Sequence, residues 1–179
     1  MLVLAALALT MLREGPGEIV VVPLGRPSVR SLASVKRALR ETYRLRGIDG
    51  PPVALPADAY TKPRKRYRAD GLLDHLNRVE GDRVIGVTDR DISTTLHGRK
   101  DWGIMGLAWL DRHPCVVSSF RAKAGVGKTA VHEIGHTLGR DHCPVKGCLM
   151  QDAKGSGKIA TNKSGFCRDC RDYLSNYLK

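Results

Sequence analysis

The sequence has no internal repeat and no low-complexity tract, which excludes a solenoid, a propeller or an unfolded linker as its main architecture. It also has no apolar run long enough to cross a bilayer. The longest, MLVLAALALTML at residues 1–12, has the length of a signal peptide, but no Lys or Arg precedes it and REGPGE follows in place of a small-residue cleavage site. Residues 1–16 are therefore set apart as an apolar extension. Either translation begins at Met11, or the run is a weak secretory leader. Acidic residues are scarce, 18 against 30 Lys and Arg, and the net charge of +12 draws anionic surfaces, acidic partners or nucleic acid as non-specific company. The densest basic run, TKPRKRY, places Lys62, Arg64, Lys65 and Arg66 beside Tyr60 and Tyr67 and reads as a solvated loop, with a hold on single strands as the alternative. Finally, GVGKTA lacks the first glycine of a phosphate loop, because position 122 is Ala122. That run is a turn and a helix start, and nucleotide binding is not expected.

What is present suits one folded domain. The 179 residues are 42% apolar, and residues 17–179 are read as a single domain. EIVVVPL (18–24) is a buried strand by its β-branched run. SLASVKRALRETYRLRG is an amphipathic helix carrying Leu32, Val35, Leu39 and Tyr43 on one face and stopping at Gly47. PPVALPAD is a short strand or extended segment, and DGLLDHLNRV is a second helix with Leu72, Leu73 and Leu76 inward and Asp70 as cap. DRVIGVTDRDI, IMGLAWLD and PCVVSSF are three further strand candidates. The fold class is α+β, with helices packed on a twisted mixed sheet and the chemistry loaded into the last third.

That last third holds two groups of metal-ligating side chains. From about Lys128 the chain is helical, with Val131, Ile134 and Leu138 apolar. His132 and His136, four residues apart, lie one turn apart on one face, so both imidazoles reach one ion. Gly139 can adopt the left-handed conformation that ends the helix and turns the chain back, which brings His142 in as a third ligand. Three neutral imidazoles suit zinc and leave one position for water. Glu133, beside the first ligand, can then serve as the general base. A helix with surface histidines is the plainer alternative. The cysteines add a second group: Cys143, Cys148, Cys167 and Cys170 have the C-x4-C and C-x2-C spacing of a tetrahedral thiolate zinc site, with two disulfides as the alternative. Cys115 stands alone in an apolar run and reads as a small buried hydrophobe.

H-E-x-x-H-x-x-G-x-x-H followed by a methionine resembles the metzincin metallopeptidases. The immediate HC, then Cys148, Met150 and the Cys167-x2-Cys170 pair, resembles the archaemetzincins in particular. The segments GVTDRDI, GLAWLDRHPCVVSSFR and AYTKPRKRYRADGLLDHL are similar to that family upstream. The resemblance implies a metzincin-like fold with an active-site helix and a C-terminal segment, residues 143–170, stabilised by a structural zinc. It implies two zinc ions per chain: a catalytic one on His132, His136 and His142, with Glu133 as base, and a structural one on the four cysteines. Gly139 and Met150 support the site, Met150 as an apolar floor. Sixteen residues separate Met150 from Cys167, and Arg140 and Asp141 are charged where the family pattern leads one to expect an apolar residue. The implied activity is hydrolysis of peptide bonds, endo- or aminopeptidase undecided, with an extended peptide along the edge strand GIMGLAWLD. Trp109 is a candidate cleft residue, with a core position the plainer reading, and Tyr173 or Tyr177 a candidate oxyanion donor, with a packing or solvent-facing role the plainer one. The expected partners are a peptide or protein substrate and no specific nucleic acid or membrane, with the chain a monomer. Zinc thiolates favour the cytoplasm. The alternatives are a zinc-stabilised binding module for nucleic acid and a scaffold without turnover.

Overall fold

Four consecutive β-branched residues form most of strand β1, Glu18–Pro23, and the pleat sends Ile19 and Val21 into one core and Val20 and Val22 into another. A strand buried on both faces must be covered on both, and the chain supplies the covers in turn. Residues 17–152 and 165–179 are described by a computed structural model. The expectations about the apolar run at residues 1–16 lie outside them. Helix α1, Val29–Thr42, is capped by the Ser28 hydroxyl, which accepts from the Ser31 amide at 3.2 Å, and it buries Val35 and Leu39. It ends before Tyr43, a residue expected on its apolar face. That residue is the cap, fully buried, and its hydroxyl donates to the Val131 carbonyl at 2.8 Å. Strand β2 is Arg46–Asp49.

Of the two readings of PPVALPAD, a short strand or an extended segment, no strand ladder forms: the segment makes an isolated bridge from Val53 to Leu24 and one 3₁₀ turn, Ala57–Ala59. Its prolines remove the amides that a ladder needs. Strands β3, Tyr60–Thr61, and β4, Arg66–Arg68, lead into helix α2, Ala69–Leu76. Arg68 is its cap, and Asp70 lies within its first turn. Leu72, Leu73 and Leu76 are fully buried, each contributing about 1.5–3 kcal/mol of apolar burial. Strand β5, Arg83–Thr88, stops short of Ile92, which opens β6, Ile92–Leu96. β7, Arg99–Ile104, and β8, Gly106–Ala108, replace the single strand expected at IMGLAWLD, and β9 is Pro114–Ser118. Helix α3, Ser119–Ala122, and a 3₁₀ turn, Lys123–Gly125, precede α4, Val126–Thr137. Helix α5 is Arg168–Tyr173.

The main sheet has five strands in the order β2-β1-β5-β9-β8. Its first four strands run parallel, and β8 is antiparallel to β9. Helices α1 and α4 cover one face and α2 the other. A second sheet of four short strands, β3-β4-β6-β7, was not anticipated. The result is the expected α+β architecture with a mixed sheet. Its edge strand β8 falls inside the segment named for that role. Among the described residues no helix is long and apolar enough to cross a membrane.

Candidate metal centre and catalytic cleft

Helix α4 is buried along nearly its whole length, because its apolar residues face the sheet and α1 covers its other side. Close approach to α1 occurs at Gly127, where a Cβ would stand 2.8 Å from the Ser34 carbonyl. The helix carries His132, Glu133 and His136 at 3%, 6% and 8% exposure, too buried to be the surface histidines of the plainer alternative. It ends at Thr137 with Leu138 as cap, and Gly139 beyond it has φ +86°. The Gly139 amide donates to the His136 carbonyl and the Arg140 amide to the Gly135 carbonyl, a Schellman stop that turns the chain back. His142, on that returning segment, comes beside the other two, with ring centroids 5.6 Å from His132 and 4.7 Å from His136.

The hydrogen bonds define the ring protonation. Nδ1 of His132 donates to the Leu149 carbonyl at 2.7 Å, and Nδ1 of His136 to the Arg140 carbonyl at 2.8 Å. A carbonyl only accepts, so each Nδ1 carries the hydrogen and each Nε2 of a neutral ring presents a lone pair. Burial and the neighbouring ring push the His132 pKa down to about 3 and that of His136 down to about 4, so both rings are neutral near pH 7. Their Nε2 atoms nevertheless face one another at 3.0 Å. Two lone pairs at that distance repel unless a cation lies between them. One nitrogen from each of the three histidines falls within 4.8 Å of the others, so the donor set fits one ion. Burial alone pushes the Glu133 carboxyl up to about 8; a cation bound on the adjacent imidazoles would pull it back down.

Glu133 lies against β8. A Cβ on Gly106 would fall 2.5 Å from its Oε1, so the missing side chain makes room for the carboxylate at the sheet edge. His132, Glu133, His136 and His142 share a cleft of about 440 Å³ with Gly106, Leu107 and Ala108 of β8. Beneath the helix Met150 is fully buried, and a Cβ on Gly135 would stand 2.6 Å from its Sδ.

The four cysteines form the second group. Their Sγ atoms lie within 4.8 Å of one another, and the close pairs, Cys143 to Cys167 and Cys148 to Cys170, are both 3.6 Å apart. All four are free thiols, at a separation well beyond the disulfide length of about 2.05 Å. It is close to the edge, about 3.8 Å, of a tetrahedron built on the usual zinc–sulfur distance of about 2.3 Å. The backbone amide of Cys170 pulls the Cys167 thiol down to about 7, towards the thiolate that binds metal.

The three aromatic candidates for the cleft take the packing roles that were the plainer reading of each. Trp109 packs against the core under α2 and does not line the cleft. The Tyr173 hydroxyl donates to the Gly139 carbonyl at 3.0 Å, Tyr177 packs on the core under α1, and neither lines the cleft. Missing from the sequence reading were Thr94, Leu96 and His97 on the β6–β7 hairpin, which form part of the cleft wall. Their signal was His97-Gly98, a two-residue hairpin turn with φ +47° and +73°.

Comparison with known proteins agrees with this geometry. Residues 123–176 match the family model described as peptidase family M54. The archaemetzincin of Halobacterium salinarum is 28% identical over 169 residues, covering 84% of this chain and 95% of that protein. The crystal structure of archaemetzincin from Methanopyrus kandleri superposes with a TM-score of 0.77 at 27% identity, covering 93% of this chain and 98% of the other. That from Archaeoglobus fulgidus superposes with 0.75 at 25% identity, covering 87% and 99%. In sequence the Methanopyrus kandleri archaemetzincin is 34% identical over 135 residues, 70% of this chain and 75% of that protein. With that degree of identity over that span, the chain belongs to the archaemetzincins, zinc metallopeptidases of the M54 family.

Proposed function

We propose that His132, His136 and His142 hold the catalytic zinc of this peptidase, that Glu133 is its general base, and that Cys143, Cys148, Cys167 and Cys170 hold a second, structural zinc. Zinc on the three imidazoles supplies Lewis acidity, polarising a carbonyl and lowering the pKa of water from about 16 to about 7. The protein's own groups do the rest. The Leu149 and Arg140 carbonyls fix the tautomer and direction of two imidazoles. Glu133 takes a proton from water as its oxygen adds to the peptide carbonyl carbon, then passes that proton to the departing amine nitrogen. The substrate is a peptide or protein. Its backbone pairs with the free side of β8, which among the described strands bonds only to β9. Gly139 provides the turn that returns His142, and Met150 is the apolar floor. We read residues 17–179 as one catalytic domain, monomeric, working in the reducing cytoplasm that keeps four thiolates available to metal.

The observation that carries the reading is the pair of buried, neutral imidazoles facing each other at 3.0 Å through Nε2, with each Nδ1 committed to a carbonyl. Metal analysis of the purified chain tests it. Two zinc ions per chain are expected, one lost in His136→Ala and the other in Cys167→Ser. A chain holding a single ion, insensitive to His136→Ala, overturns the catalytic assignment.

A further inference from the structure

Arg140 was unexpected in its position, and the structure gives it contacts in two directions. Its carbonyl accepts from Nδ1 of His136 at 2.8 Å, while its Nε donates to Sγ of Cys170 at 3.1 Å. Its guanidinium lies 5.4 Å from the centre of the Tyr173 ring, whose hydroxyl holds the Gly139 carbonyl at 3.0 Å. The residue just before it, Gly139, is left-handed and has no side chain to brace the turn. A carbonyl one residue beyond such a hinge turns readily unless its own side chain is anchored. Four thiolates around a dication also leave a net charge of about −2, which a guanidinium offsets through a charge-assisted bond.

We propose that Arg140 is a positioning residue that ties the cysteine cluster to His136, so that the state of the thiolates sets the aim of a histidine in the other cluster. His132 has a separate link, since its partner Leu149 lies in the backbone between Cys148 and Met150. Arg140 therefore acts on one histidine of the three. Lysine keeps the charge but loses the planar fork that bonds sulfur while stacking on Tyr173. The proposal rests on the ligand assignment above.

The test uses the full chain with zinc in the cysteine cluster and two readouts. The first is the rate at which an aromatic disulfide reagent modifies the thiols, and the second is the affinity of the histidine cluster for Co²⁺, followed by visible absorption. In Arg140→Leu the thiols should react about tenfold faster and Co²⁺ should bind about tenfold more weakly, the usual size of an outer-shell loss. Arg140→Lys should recover part of the first effect and little of the second. Should Arg140→Leu not fold, Arg140→Gln is read the same way, with at least about threefold expected on each readout. Wild-type behaviour of the folded Arg140→Leu or Arg140→Gln variant on either readout overturns the coupling. A wild-type chain that takes up no metal at one of the clusters instead overturns the ligand assignment, and this inference with it.

Discussion

The histidine and cysteine clusters lie within one short stretch of chain yet are built in opposite ways. The histidines come from one buried helix and its exit, residues 132–142, and the third ring is half-exposed, facing the cleft. The cysteines come from two segments, around 143–148 and 167–170, with only α5 as regular structure, and each sulfur is close to another cysteine. A rigid scaffold with one open side suits turnover, whereas a closed set of soft ligands suits holding a fold together. Most of the aim in the first cluster comes from secondary structure, whereas the second has one short helix and, on the reading proposed above, would rely on its metal.

Substitutions that strike one cluster and spare the other put this contrast to work. The largest effect is expected from Glu133→Gln: peptide cleavage should fall by about a thousandfold or more while two zinc ions remain, as judged by turnover beside metal analysis. Retained cleavage would remove Glu133 as the base. Next, Cys170→Ser should lose one zinc and destabilise the chain by more than about 4 kcal/mol in denaturant titration, because that cluster has little else to order it. If stability is unchanged, the cluster is not a structural site. Gly106→Ala should lower turnover by about a hundredfold with both metals kept, since the new Cβ takes the place of the Glu133 carboxylate. Gly135→Ala forces Met150 away from α4 and should cost about 1–3 kcal/mol of stability by thermal melting.

The smallest effect lies outside both clusters. Burial raises the Asp91 carboxyl, but hydrogen bonds from Arg121 and Arg66, each at 2.7 Å, outweigh it and hold the carboxyl below its ordinary value. A depressed carboxyl contributes stability that is fully present above the unfolded value, about 3.9, and is lost as the pH falls through the folded value. Asp91→Asn should therefore flatten the acid limb of stability against pH. An unchanged limb would show that these two arginines do not bind a charged Asp91.

The convergence of the proposed ligand residues was legible because their constraints are local. His132 and His136 fall on one face from helical period alone, and Gly139 announces the stop that returns the chain to His142. Strand β1 and helix α2 were legible for the same reason, the first from an unbroken β-branched run and the second from leucines at helical spacing. The second sheet was not, because β3 and β4 are two and three residues long and β7 opens with exposed Arg99 and Lys100, so no alternation marks them. Tyr43 continued the helical spacing of α1 but belongs to its cap, where a tertiary bond to Val131 overrides the period. The role of Arg140 depends on Cys170, thirty residues away, and no spacing rule connects them.

Strand β8 has a further consequence. With three residues at the rim, it offers a guest only a brief ladder of main-chain bonds, and such a ladder reads shape before side-chain identity. A compact globule has no loose strand to lend it. Frayed ends, slack loops and short fragments do, so on the pairing proposed above the first discrimination would be between slack and tightly folded chain.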